Sequence, residues 1–162
     1  MKTMKRNEKV AFMKARTGDK YIRMRGFTEF TLNRNPIEYS RKYIDEKNER
    51  NDIVGYSPSV RYSFDYIMDD AVHREFYDIT NLEYVGENAV RNIVIVDLTT
   101  SSNTKDAYSR DWSIVPDSEG DDENTYTFSG TLKANGDVIL GTATSDDNWE
   151  TCNFVSVYDE DL

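Results

Sequence analysis

Hydrophobic residues recur with a period of two along most of this chain, and no other feature limits its folding so strongly. "SVRYSFDY" (59–66) sets Val60, Tyr62, Phe64 and Tyr66 on one side and Ser59, Arg61, Ser63 and Asp65 on the other. Successive side chains of a strand point to opposite faces, so this spacing predicts a half-buried strand with a polar face. "KVAFMKA" (9–15) and "FTEFTLN" (27–33) are further short strands, separated by the turn-like "RTGDK". "RNIVIVDLTT" (91–100) holds four consecutive β-branched residues, Ile93 to Val96, and predicts a central strand buried on both faces. "AYSRDWSIV" (107–115), "TYTFSGTLK" (125–133), "DVILGTATS" (137–145) and "WETCNFVSV" (149–157) complete the set. Between the second and third of these, Asn135-Gly136 in "ANGD" supplies the positive φ of a tight hairpin, the strongest local signal in the chain.

One helix interrupts the strands. "DDAVHREFYDI" (69–79) opens with two aspartates suited to capping and to the helix N-terminus. Val72, Phe76 and Ile79 then form one apolar stripe. About eight strands and one helix predict a mainly β fold, an antiparallel β-sandwich or barrel with one flanking α-helix. The 162 residues suit one domain, with no repeat or internal boundary. Residues 1–8 are expected to form an N-terminal arm and residues 158–162 a frayed end.

The chemistry-bearing residues are few. His73 is the only histidine and falls beside the helical stripe, which predicts a surface or rim position. With no second histidine to share a metal and no nucleophile signature, it supports neither a metal site nor a triad. Phosphate-binding glycine motifs are absent. Cys152, the only cysteine, sits among Trp149 and Phe154 and is expected to be a packed thiol; it has no disulfide partner in the chain. In the acidic run "DSEGDDEN", Asp117, Glu119, Asp121 and Glu123 are spaced by two. Its sixth and twelfth residues from Asp117 are Asp122 and Phe128 rather than the Gly and Glu of a calcium loop, so a solvated loop is the better reading. The expectation is a protein with no catalytic residues, no cofactor and no metal. No apolar run approaches the roughly 20 residues of a membrane-spanning helix, and no apolar signal core follows the basic start.

Charge is unevenly placed. Residues 1–50 carry 14 Lys/Arg against 7 Asp/Glu, and residues 51–162 carry 6 against 23, a +7 front and a −17 body. Two unlike patches can meet each other on separate copies, and the acidic body disfavours tight binding of nucleic acid. The chain also has 11 tyrosines, six of them in the first 66 residues. Tyr is amphipathic and loses little rotamer entropy on docking, so protein contact explains these rings better than base stacking.

"PIEYSRKYIDEKNERNDIVGY" (36–56) fits no core pattern. As a helix, Ile37 and Ile44 share a side while Tyr39 and Tyr43 point elsewhere; as a strand, Tyr39, Arg41, Tyr43 and Asp45 share a face that is no core face. Over residues 36–50 its charges balance, Arg41, Lys42, Lys47 and Arg50 against Glu38, Asp45, Glu46 and Glu49, unlike those of a disordered segment. Apolar anchors among balanced charges predict a segment that orders against a partner. Its candidate interface residues are Ile37, Tyr39, Arg41, Tyr43, Ile44, Asp45, Glu46 and Arg50.

"FTEFTLNRNPIEYSRKYIDEKNERNDIVGYSPSVRYSFDY" resembles the corresponding stretch of the phage tail tube (major tail) proteins of phages and prophages of Gram-positive bacteria. "AVHREFYDI", "VPDSEGDDENTYTFSGTLKANG" and "GTATSDDNWET" resemble the same family, so the likeness covers roughly residues 9–155. It implies a β-sandwich or barrel with one helix, whose copies form hexameric rings stacked head to tail into a hollow tube. It further implies that residues 34–57 form a long loop reaching a neighbouring subunit. Other implied partners are tail proteins at the tube ends, and DNA or a tape-measure protein passing through an acidic lumen without tight binding. The implied location is the virion tail, assembled in the cytoplasm of a bacterial host, with no membrane partner. The alternative reading is a carbohydrate- or receptor-binding β-sandwich using exposed tyrosines with Trp112 or Trp149. A single-strand nucleic-acid binder is a third, opposed by the acidic body.

Overall fold

The computed structural model describes residues 1–100, 102–120 and 122–158. Among these are eleven strands and one α-helix: β1 (Lys9–Lys14), β2 (Tyr21–Arg23), β3 (Phe27–Asn33), β4 (Pro36–Arg41), β5 (Arg50–Tyr56), β6 (Ser59–Asp65), α1 (Ala71–Asn81), β7 (Val90–Asp97), β8 (Lys105–Glu119), β9 (Thr127–Ala134), β10 (Ile139–Thr144) and β11 (Thr151–Ser156). All pairings are antiparallel. The fold is mainly β, a sandwich-like sheet with a single flanking helix.

The order β10-β11-β2-β1-β7-β8 closes on itself, because β8 also pairs with β10. The inward side chains of this six-stranded ring are Phe12, Val94, Val96, Ala107, Ala143 and Cys152. Beyond β8 the sheet continues through β9 and β6 to β3. The helix lays Val72, Phe76 and Ile79 against Tyr62, Phe64, Phe128 and Leu132 of that extension, with Met13, Ile93, Trp112 and Ile114 from the ring joining the same core. β1 and β7 therefore serve two cores, one on each face. That is why Ile93 to Val96 carry no polar residue.

The length of β8 produces this double arrangement. Along one edge it pairs with β7; along the other, Lys105 to Ser109 pair with β10 and Trp112 to Glu119 with β9. The expected β9–β10 hairpin at "ANGD" does not form. Ala134 faces Trp112 and Ile139 faces Ser109, so Asn135 to Val138 bulge out between two segments laid along one strand. The positive φ of Gly136 (147°) is real, but it serves a bulge because Asn135 N–H is held by Asp111 C=O at 2.9 Å.

The helix starts two residues later than expected. Asp70, rather than Asp69, caps it, accepting from Val72 N–H at 2.9 Å and His73 N–H at 3.1 Å. His73 is not on the rim: it is fully buried. Its Nδ1 accepts from Ile67 N–H at 2.9 Å, which leaves the proton on Nε2 to donate to Arg25 C=O. The ring lies against Phe64 and Phe27. The only histidine thus ties the β2–β3 connection at Arg25 and the segment entering the helix at Ile67 to the helix's first turn.

Cys152 is buried as expected, and burial pushes its thiol up to about 12. Of the N-terminal segment, residues 6–8 form a short 3-10 turn, and Arg6 donates to Lys9 C=O and Phe30 C=O. The acidic run divides: residues 117–119 extend β8, and Asp121 lies outside the described residues. Of the expected frayed end, residues 159–162 also lie outside them.

Candidate assembly interface

β3 and β6 are antiparallel neighbours, and the chain between them leaves the sheet as a second two-stranded unit, β4 with β5. The long loop that the resemblance implies over residues 34–57 is here a paired hairpin. Residues 36–50 are the outgoing strand and tip of this hairpin arm, whose return strand ends at Tyr56. The strand pattern was invisible because neither face of the arm packs on this subunit. Beyond each other, β4 and β5 make only weak contacts with any element.

The base of the arm is pinned by Asn35 in the left-handed region (φ 47°). Its Nδ2 donates to Ser57 C=O at 3.0 Å and to Ser59 Oγ at 3.2 Å, and its C=O accepts from Ser57 N–H at 3.2 Å. Asn tolerates this backbone and bonds locally, which is why it suits the corner. Pro36 and Pro58 on either side donate no N–H and allow the sheet to break there.

Register assigns the faces of the arm. Tyr39 opposes Asp52 and Arg41 opposes Arg50, while Glu38 opposes Ile53 and Ser40 opposes Asn51. A bulge at Val54 lets Ile37 face Gly55. On the first face Arg41 bridges to Asp52 at 2.5 Å, donates to Tyr43 Oη at 2.8 Å, and stacks over the Tyr39 ring at 5.0 Å. Hydrogen bonds to Tyr43 and then to Asp52 raise the Arg41 pKa further above its ordinary value. Arg50 lies over the other side of this cluster, 5.8 Å from the Tyr43 ring, and donates to Glu46 Oε2 at 2.7 Å.

The structure thus brings together Tyr39, Arg41, Tyr43, Glu46 and Arg50. Ile37 stays at the base of the arm, away from Ile44 at the tip. Ile44 stands at the tip with its side chain entirely in solvent (108% exposed), beside exposed Asp45. Sequence reasoning missed the return strand. Ile53, Val54 and Tyr56 are each more than half exposed and belong to the same surface. The β-branched pair Ile53-Val54 next to Gly55 was the available signal.

β3 adds a second unpaired feature. Among the described residues it pairs only with β6, so its outer edge presents free backbone groups apart from the contact of Arg6 with Phe30 C=O. Trp112 is 3% exposed and packs in the core, so it offers no ring to a sugar; Trp149 is half-buried against Phe12.

A scan of protein-family models finds no match to this chain, and no curated protein matches it.

Proposed function

We propose that this chain is a non-catalytic structural subunit that assembles with copies of itself. In this reading six copies form a ring, and rings stack head to tail into the hollow tail tube of a phage or phage-tail-like particle. The tube would carry DNA or a tape-measure protein without tight binding. Ring number, stacking and the virion setting come from the resemblance in the sequence. The arm is the observation that supports self-association.

An isolated two-stranded hairpin is marginal in water. This one also holds Ile37, Ile44, Ile53, Val54 and Tyr56 half or more in solvent. Such a surface is stabilised when a partner covers it. The open edge of β3 is a second liability that pairing between copies removes. The arm and the body are different surfaces, so their contact is heterologous and propagates into rings or filaments.

Electron microscopy and light scattering of the purified chain over a concentration series test the reading. Rings or tubes that grow with concentration are expected. A monomer at every concentration, with no rings in the particle that carries it, overturns it.

A further inference from the structure

A cleft of about 340 Å³ lies between β3 and the outer face of the strand ring. Its floor is apolar, formed by Leu32, Ile93, Ile95 and Leu140. Its charges are Lys9, Arg34 and Arg110, with no carboxylate in the lining. In a chain of net charge −10 this is a local reversal of sign. Arg34 and Arg110 form no ion pair among the described residues. Arg110 lies over the Trp112 ring, and its Nε is covered without a hydrogen-bond partner. A covered donor without an acceptor is costly, so the cleft suits a carboxylate carried beside an apolar side chain.

The tip of the arm presents that combination. Glu46 N–H donates to Tyr43 C=O at 3.1 Å, which closes a turn with Ile44 and Asp45 at its corner. Ile44 projects wholly into solvent. Asp45 is exposed and forms no ion pair among the described residues, whereas Glu46 is already held by Arg50. The corner therefore carries one apolar side chain and one uncommitted carboxylate. Lys42 and Lys47 lie two residues to either side of it.

An arm does not reach the cleft of its own subunit. Tyr56, at the base of the arm, lines an adjoining cleft together with Arg34 and Arg110, so the arm departs from the place where these cations stand. The six residues of β4 then carry the chain outward by about 17 Å before the turn begins. The tip meets such a cleft only on another copy.

We propose that the arm tip of one copy docks in this cleft of a second copy, with Ile44 on the apolar floor and the Asp45 carboxylate on Arg34 and Arg110. The inference rests on the self-assembly reading and adds to it the receiving site. Tip and cleft are different surfaces of one chain, so a docked copy still offers its own cleft or tip to the next.

Sedimentation velocity on the full chain over a concentration series tests the docking. Asp45→Lys and, separately, Arg34→Glu at an exposed position should each raise the concentration needed for assembly by about tenfold or more, because each sets like charges against one another in the contact. The two changes together restore an opposite pair and should assemble at an about fivefold lower concentration than either alone. Ile44→Ala and Leu140→Ala, the latter half exposed on the cleft floor, should together cost little more than the costlier of the two. Circular dichroism verifies folding of each variant. A native chain that stays monomeric at every concentration overturns the self-assembly reading and this docking with it. A native chain that assembles while Asp45→Lys or Arg34→Glu assembles equally well overturns the docking and leaves self-assembly standing. A double charge variant no better than either single one does the same.

Discussion

Arg91 on β7 reaches Glu75 on α1 with two nitrogens: Nε at 2.9 Å and Nη2 at 2.8 Å, both on Oε2. The arginine side chain is 3% exposed and the glutamate 22%. Arg91 Nη1 is satisfied by the carbonyls of Asn88 and Val90. The pair fastens the only α-helix among the described residues to one of the two strands that serve both cores. Removing one partner strands a buried charge, and its loss costs more than the pair contributes. Glu75→Ala is expected to destabilise the fold by about 3 kcal/mol, measured by urea denaturation. The double change Glu75→Leu with Arg91→Met should lose less than the single one.

Cys152 faces the interior of the strand ring. Burial raises its thiol to about 12, so little thiolate exists near neutrality. Iodoacetamide should label it only as fast as the chain unfolds. Labelling rates should rise with urea in step with unfolding followed by tryptophan fluorescence. Rapid labelling of the native chain contradicts this placement.

The turn between β10 and β11 is organised by one carboxylate. Asp147 accepts from Thr151 Oγ1 at 2.6 Å, from Thr151 N–H at 3.0 Å, and from Ser145 Oγ at 2.8 Å. These bonds hold its pKa at about 2, below the ordinary 3.8. A depressed carboxyl contributes stability that is present above its unfolded value and lost as pH falls through its folded value. Native chain and Asp147→Ala should therefore differ in melting temperature at pH 5. The gap should close between pH 4 and 2. A gap that does not change with pH contradicts the assignment.

Gly130 on β9 sits opposite Tyr62 on β6, and the phenol covers it. A Cβ there would lie 2.5 Å from Val115 C=O and 2.7 Å from Tyr62 Oη. Both neighbours are fixed within the sheet. Gly130→Ala should cost about 1–3 kcal/mol through overpacking, read as a lower urea midpoint. Tyr62→Phe removes the hydroxyl oxygen, the nearer of the two Tyr62 atoms, and should recover part of the loss.

Much of this architecture was legible in period-two alternation. β3 and β6 begin where the pattern begins, and the two-faced burial of β7 follows from Ile93 to Val96. Pairing was less legible. Asn135-Gly136 has the chemistry of a hairpin, but a 15-residue β8 offered both flanking segments the same edge. Burial of His73 depended on which backbone groups met its two nitrogens, and Arg25 is 48 residues away in sequence while Ile67 lies before the helical pattern begins. The arm was hardest to read, because a strand whose faces both meet solvent in the monomer carries no core alternation. Its residues could be nominated from their failure to fit, but their geometry could not.

That failure to fit has a measurable consequence. Ile44 is fully exposed at the tip, and Lys47 in the same turn is also exposed. A monomer should be indifferent to either residue, because neither packs on the fold. If copies assemble through the arm, the two differ: an apolar tip buried by a partner contributes strongly, and a rim cation weakly. Ile44→Asp should therefore leave the melting temperature of the monomer unchanged and raise the concentration needed for assembly by about tenfold or more, since burying a charge without a partner costs more than about 1.4 kcal/mol. Lys47→Ala should shift it little. Deleting residues 38–50 should keep circular dichroism of the main sheet and abolish assembly, because the arm lies outside both cores. Sedimentation velocity on the three variants separates the outcomes. Normal assembly by the deletion removes the arm from the interface.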